Sequence, residues 1–125
     1  MGNGVVFEKV KEMLPVSGDG YDGEIVTQIN AAMLDLTKTS EIVLPGTVDV
    51  TRTKQAATTS EPEQWVITDT STLTDELAIT AIATWCNMRI GNPPNYDNLL
   101  KAYESMKGSM RISKRSHKQG KPFPW

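Results

Sequence analysis

The stretch LAITAIATWCNMRI, residues 77–90, leaves the chain few ways to fold. Leu77, Ala78, Ile79, Ala81, Ile82, Ala83, Trp85, Cys86, Met88 and Ile90 reach nearly every side of a helical wheel. A helix that is apolar all round must be covered, by a domain core or by neighbouring subunits. Thr72 or Thr74 can cap its start, and Asp75 and Glu76 fall in its first turn, where the helix dipole favours acids. Gly91 offers a C-cap, and Pro93–Pro94 prevent continuation. This helix is the expected spine of the fold.

Three more helices are readable around it. Val6, Val10 and Met13–Leu14 recur at helical spacing, and Pro15 closes that short segment. In EIVTQINAAMLDLTK, Ile25, Ile29, Ala32, Met33 and Leu36 form a stripe that ends near Thr39–Ser40. After the GNPP corner, Asn95 or Asp97 can cap a return helix. Its stripe is Tyr96, Leu99–Leu100, Tyr103 and Met106, with Lys101, Glu104 and Lys107 outside, so it folds back on the spine. Residues 41–73 differ. TVDVTRT alternates in steps of two and QWVITDT is β-branched and aromatic, which predicts two short strands around a polar loop. Trp65 and Trp85 are expected as buried anchors, and Met33, Met88, Met106 and Met110 as gap-filling packing. The fold class is therefore mainly α: a small four-helix domain over residues 1–112, a β-hairpin-like insertion at 41–73, and an extended C-terminal tail over 113–125.

Little here reads as catalytic chemistry. The one cysteine, Cys86, lies in the apolar run, and the one histidine, His117, in the basic tail, so they build neither a zinc site nor a nucleophilic triad. No phosphate-binding glycine motif occurs. SGDGYDG looks like a calcium loop, but with Gly23 as the sixth residue the first and third positions are Gly18 and Gly20 and the twelfth is Ile29. Caps and a turn are the better reading. No enzyme activity, cofactor or metal is expected. The start MGNGVV has no apolar run of a signal peptide, and no stretch is long enough for a membrane span. A soluble protein of a reducing compartment is the expectation.

Charge is split. All 15 acidic residues lie at or before Glu104. Seven basic residues up to Met106 leave the body eight charges negative, and six more from Lys107 onward make the tail positive. Such asymmetry points to an interaction tail for nucleic acid or an acidic protein surface. A solvated terminus without a partner is the other reading. At 38% hydrophobic residues, the 125-residue chain also has a modest core, which fits an oligomer.

In order, FEKVKEMLPVSGDGYDGEI, IVTQINAAMLDL, LAITAIATWCNMRIGNPP and NYDNLLKAYESMKGSM resemble the small head–tail connector proteins (head completion, adaptor) of tailed bacteriophages. The buried helix ending in GNP, then Tyr-Asp and a Lys-x-Tyr-Glu-x-x-Lys helix, carries most of the resemblance, which spans roughly residues 5–112. Segment 41–73 is longer and more β-like than the simplest members have, and the tail has no fixed family pattern. The resemblance implies a non-enzymatic virion protein, made in the bacterial cytoplasm and placed at the head–tail joint. It would form a ring, usually twelve-fold, between the portal and a stopper or tail-terminator protein, through which DNA passes without specific binding. Docking to the portal would fall to Arg111, Lys114, Arg115, Lys118, Lys121, Phe123 and Trp125. Core and subunit packing would fall to Ile25, Ile29, Leu77, Ile82, Trp85, Tyr96, Leu100 and Tyr103. The competing expectation is a small nucleic-acid-binding protein that uses KRSHKQGK on phosphates, against which stand the acidic body and the lack of a recognition helix. For a small regulatory or toxin–antitoxin-like protein no positive feature is present.

Overall fold

The computed structural model describes residues 4–16, 18, 20–90 and 94–119, with side chains as far as Arg111. The protein is mainly helical, with four α-helices and one two-stranded antiparallel sheet among the described residues. Helix α1 is Val6–Glu12 and α2 is Asp22–Leu34, which continues as a π-helical turn over Asp35–Thr39. Strands β1 (Val50–Gln55) and β2 (Gln64–Asp69) follow, then α3 (Glu76–Arg89) and α4 (Tyr96–Gln119).

Helix α3 is the spine, and α1, α2 and α4 all pack on it. Ala78, Ala81 and Ala83 let neighbours approach closely, while Ile79, Ile82, Cys86 and Met88 fill the spaces between. Val6, Val10, Ile25, Ile29, Leu36 and Leu73 complete the core and are fully buried. The α3 cap differs from expectation. Asp75, not Thr72 or Thr74, accepts the Ala78 N–H at 3.0 Å, because the helix starts at Glu76 and Thr72 is engaged with Thr47. At the other end Ile90 has already turned to extended backbone. Gly91, Asn92 and Pro93 of the expected corner lie outside the described residues.

The hairpin pairs Val50 with Asp69, Arg52 with Ile67 and Lys54 with Trp65. One of its faces therefore carries Val50, Arg52, Lys54, Trp65, Ile67 and Asp69. Burial falls along that face, from Val50 and Asp69 at the base to Trp65, which is 51% exposed. Trp65 is thus not the buried anchor expected of it, because the ribbon runs outward past the end of the core. A lone hairpin is marginal in water. Here its base is held by α2, where Asn30 Nδ2 donates to the Val50 carbonyl at 3.4 Å, and by side-chain bonds that extend the pairing through Thr47, Asp49, Ser71 and Thr72.

Asp69 joins the hairpin to α1. Val5 offers α1 no side-chain cap, and the Phe7 N–H donates instead to Asp69 Oδ2 at 2.9 Å. The other carboxylate oxygen accepts from Ser71 N at 2.9 Å, and Gly4 N donates to the Asp69 carbonyl at 2.9 Å. The backbones are so close that a Cβ on Gly4 would overlap the Asp69 carboxylate and stand 2.7 Å from Ser71 N. Asp69→Ala should therefore lose about 1–2 kcal/mol, as for a deleted helix cap. Gly4→Ala should lose about 1–3 kcal/mol through overpacking. Urea unfolding of both variants measures this, and wild-type midpoints would contradict the remote cap.

Candidate interaction surfaces

The longest helix, α4, is amphipathic over its first four turns and carries a largely buried polar cluster. Tyr103 and Met110 are buried against the core, and so is Lys107, at 6% exposure. The sequence pattern placed Lys107 on the solvent side; it lies inside because its ammonium is fully engaged. Nζ donates to Asp35 Oδ2 at 3.2 Å and to Ser40 Oγ at 3.1 Å, and Glu104 Oε2 stands 3.1 Å away. An ammonium has three donors, and three acceptors surround this one. Tyr103 Oη donates to the same Asp35 oxygen at 2.5 Å, and Lys107 lies 4.9 Å from the Tyr103 ring centre.

The π turn makes this arrangement possible. In a regular α-helix, residues five apart diverge by about 140° around the axis. The Ser40 N–H instead donates to the Asp35 carbonyl at 2.8 Å, an i→i+5 bond that returns both residues to one face. One lysine then reaches both. Glu41 follows with φ 55°, in the left-handed region, and Ile42 N donates to the Leu36 carbonyl at 2.8 Å, which closes the helix end. Burial raises the Tyr103 hydroxyl well above the usual phenol range, helped by its bond to Asp35 and the charges of Asp35 and Glu104, with Arg89 opposing. The phenol therefore stays a donor at any physiological pH.

Next to this latch, Trp85 packs its ring 5.5 Å from Tyr103, donates Nε1–H to Gln28 Oε1 at 3.1 Å, and carries Arg89 4.2 Å above its face. It is half-buried, an anchor between α2, α3 and α4. With only six residues linking them, α3 and α4 pack as antiparallel neighbours through this contact. From it α3 has nine residues left to Glu76, whereas α4 has sixteen to Gln119. Seven surplus residues at 1.5 Å each carry α4 about 10 Å beyond the start of the spine.

Helix α4 continues through Gln119. Arg111, Lys114, Arg115 and Lys118 all fall within its last three turns in sequence. Arg111 is exposed, yet its Nε–H points at the Ser40 carbonyl, 3.4 Å away, so this expected docking cation touches its own body. The side chains of Lys114, Arg115 and Lys118 lie outside the described ones, and Lys121, Phe123 and Trp125 lie outside the described residues.

Of the expected packing residues, Ile25, Ile29, Ile82 and Tyr103 are in the core. Leu77, Tyr96 and Leu100 are 36%, 38% and 39% exposed, so within one chain they pack on little. Periodicity assigned Tyr96 and Leu100 to the buried stripe, but they precede the part of α4 that the latch pulls inward.

A second surface was not foreseen. An open groove of about 590 Å³ runs between the start of α2 and the hairpin, lined by Gly20, Gly23, Glu24, Thr27, Arg52 and Trp65 among others. The Arg52 guanidinium lies 4.0 Å above the Trp65 ring. The alternation that places both residues on one hairpin face was the signal that could have found it.

Among the described residues no group of His, Cys, Asp and Glu could hold a metal ion, and no helix is long and apolar enough to cross a membrane. Comparison of the chain with protein-family models, curated proteins and solved structures finds no match.

Two outcomes follow from the burial. Lys107→Met removes one partner of a largely buried pair and should lose about 2–4 kcal/mol in urea unfolding, against under about 0.5 for Lys101→Met on the exposed face. Cys86 is fully buried and desolvation pushes its thiol up to about 12 from 9.0. The native protein should therefore resist thiol reagents at pH 8 until denaturant is added. Because the folded value is the raised one, this group's contribution to stability is present below about pH 9 and lost as pH climbs toward 12. Cys86→Ala should flatten that part of an alkaline stability profile.

Proposed function

We propose that this protein is a structural adaptor of a tailed phage, one subunit of a ring at the head–tail joint through which DNA passes. The observation that carries the reading is how charge is laid out along the fold. A body eight charges negative as far as Met106 is joined to a helix that outruns it by about two turns, and the chain from Lys107 onward carries six cations and no acid. Like charge would keep passing phosphates from sticking to the body, because tight binding of DNA comes from Lys and Arg neutralising them. The projecting end of α4, with KPFPW after it, would be the arm that meets the portal, since aromatic and arginine side chains anchor interfaces best. The order of elements agrees with the resemblance to head–tail connectors: a short first helix, a second, a buried third and a return fourth.

The test is electron microscopy of particles from the source phage lacking this gene. Heads without tails are expected, and normal tailed particles would remove the reading. A second reading, binding of nucleic acid through the basic C-terminal tail, makes a different forecast. Duplex DNA would bind the full chain with affinity falling steeply with salt, and a full-length variant with Lys114, Arg115, Lys118 and Lys121 changed to Gln would not bind. The adaptor reading expects no such difference at physiological salt.

A further inference from the structure

We infer that the groove beside the hairpin of one copy receives the first two turns of α4 from a second copy. The inference rests on the ring reading above and names the contact that would close it. It starts from Arg52. Its guanidinium is held flat over Trp65, its Nε is buried without a hydrogen-bond partner, and no carboxylate of the described residues pairs with it. Lys54, the other cation near Trp65, is already paired with Glu63 at 3.0 Å. Gly23 leaves the space that Arg52 occupies: a Cβ there would stand 2.5 Å from one of its terminal nitrogens. A pre-positioned arginine fork with no acid of its own, beside a half-exposed tryptophan, is the composition of an interface anchor.

The groove is also lined by Glu24, which is exposed and, among the described residues, makes no ion pair. The complementary visitor therefore carries an acid for Arg52, a cation for Glu24 and apolar surface for Trp65. Helix α4 offers that set on its outer face. Tyr96 and Leu100, one turn apart, are the exposed apolar pair, and Asp97 and Lys101, also one turn apart, flank them. Asp97 and Lys101 are both exposed and, among the described residues, unpaired. Asp97 meets Arg52, Lys101 meets Glu24, and Tyr96 and Leu100 cover Trp65. The two patches differ, so the contact is head-to-tail. Such contacts propagate into closed rings or filaments and never stop at a two-fold dimer.

Sedimentation velocity and native mass spectrometry of the full chain test this. The wild type should self-associate beyond a dimer. Arg52→Glu and Asp97→Arg should each weaken association about tenfold or more, since each sets like charges together. Mixed in equal amounts, the two variants should associate again with strict alternation, because each supplies the patch the other has lost. Glu24→Lys with Lys101→Glu forms an independent swap with the same forecast. Glu24, Asp97 and Lys101 are exposed and Arg52 is half-buried, so thermal unfolding of each variant checks that it folds, and the Glu24–Lys101 swap tests the contact without touching Arg52. A wild type that stays monomeric to millimolar concentration overturns the contact, as does association indifferent to the swaps. Either result beside tailless particles from the gene deletion would sink the contact alone and leave the adaptor reading standing.

Discussion

Lys107 holds the molecule in its shape. A lysine ammonium taken out of water is costly unless acceptors surround it. The acceptors here come from two places far apart in the chain, Asp35 and Ser40 at the end of the second helix and Glu104 on α4 itself. Satisfying them requires the π turn, which in turn requires Leu36 to sit in the core and Glu41 to take a left-handed backbone. Because Tyr103 bonds the same Asp35 oxygen and packs at a tilt against Trp85, the latch also sets how α4 lies along the spine. Its direction beyond the body follows from that.

The hairpin is fastened by a second remote contact of the same kind. Asp69 caps a helix 62 residues earlier in the chain, so the ribbon's base and the first helix stabilise one another. The outer half of the ribbon has no such support. It presents Trp65 and Arg52 at the side of α2, where the polarity of the groove is set by what the core did not need. The two surfaces open to a partner, the groove and the outer face of α4, are thus by-products of where the two latches stop.

Local pattern was enough for most of the architecture. The four helices, the hairpin and the antiparallel return of α4 all follow from periodicity and turn chemistry, as at Pro15 and in the two β-branched runs. Ile25, Ile29, Ile82 and Tyr103 could be named as core for the same reason. The candidate groove was less legible, because Trp65 reads as a core residue until the ribbon is seen to overrun the core. Lys107 misled in the opposite direction, since a lysine at the margin of an apolar stripe ordinarily faces water.

What the sequence determined by itself is the order and type of the elements, the apolar spine and the split of charge between body and tail. Each depends on residues within a few positions of one another, or on composition alone. What only the tertiary structure decided is the burial of Lys107, the cap by Asp69, the exposure of Trp65 with Arg52 over it, and the length of α4 past the body. Each of these needs side chains from elements separated in the chain to meet, or needs the edge of the core to be located. No local pattern encodes where that edge falls.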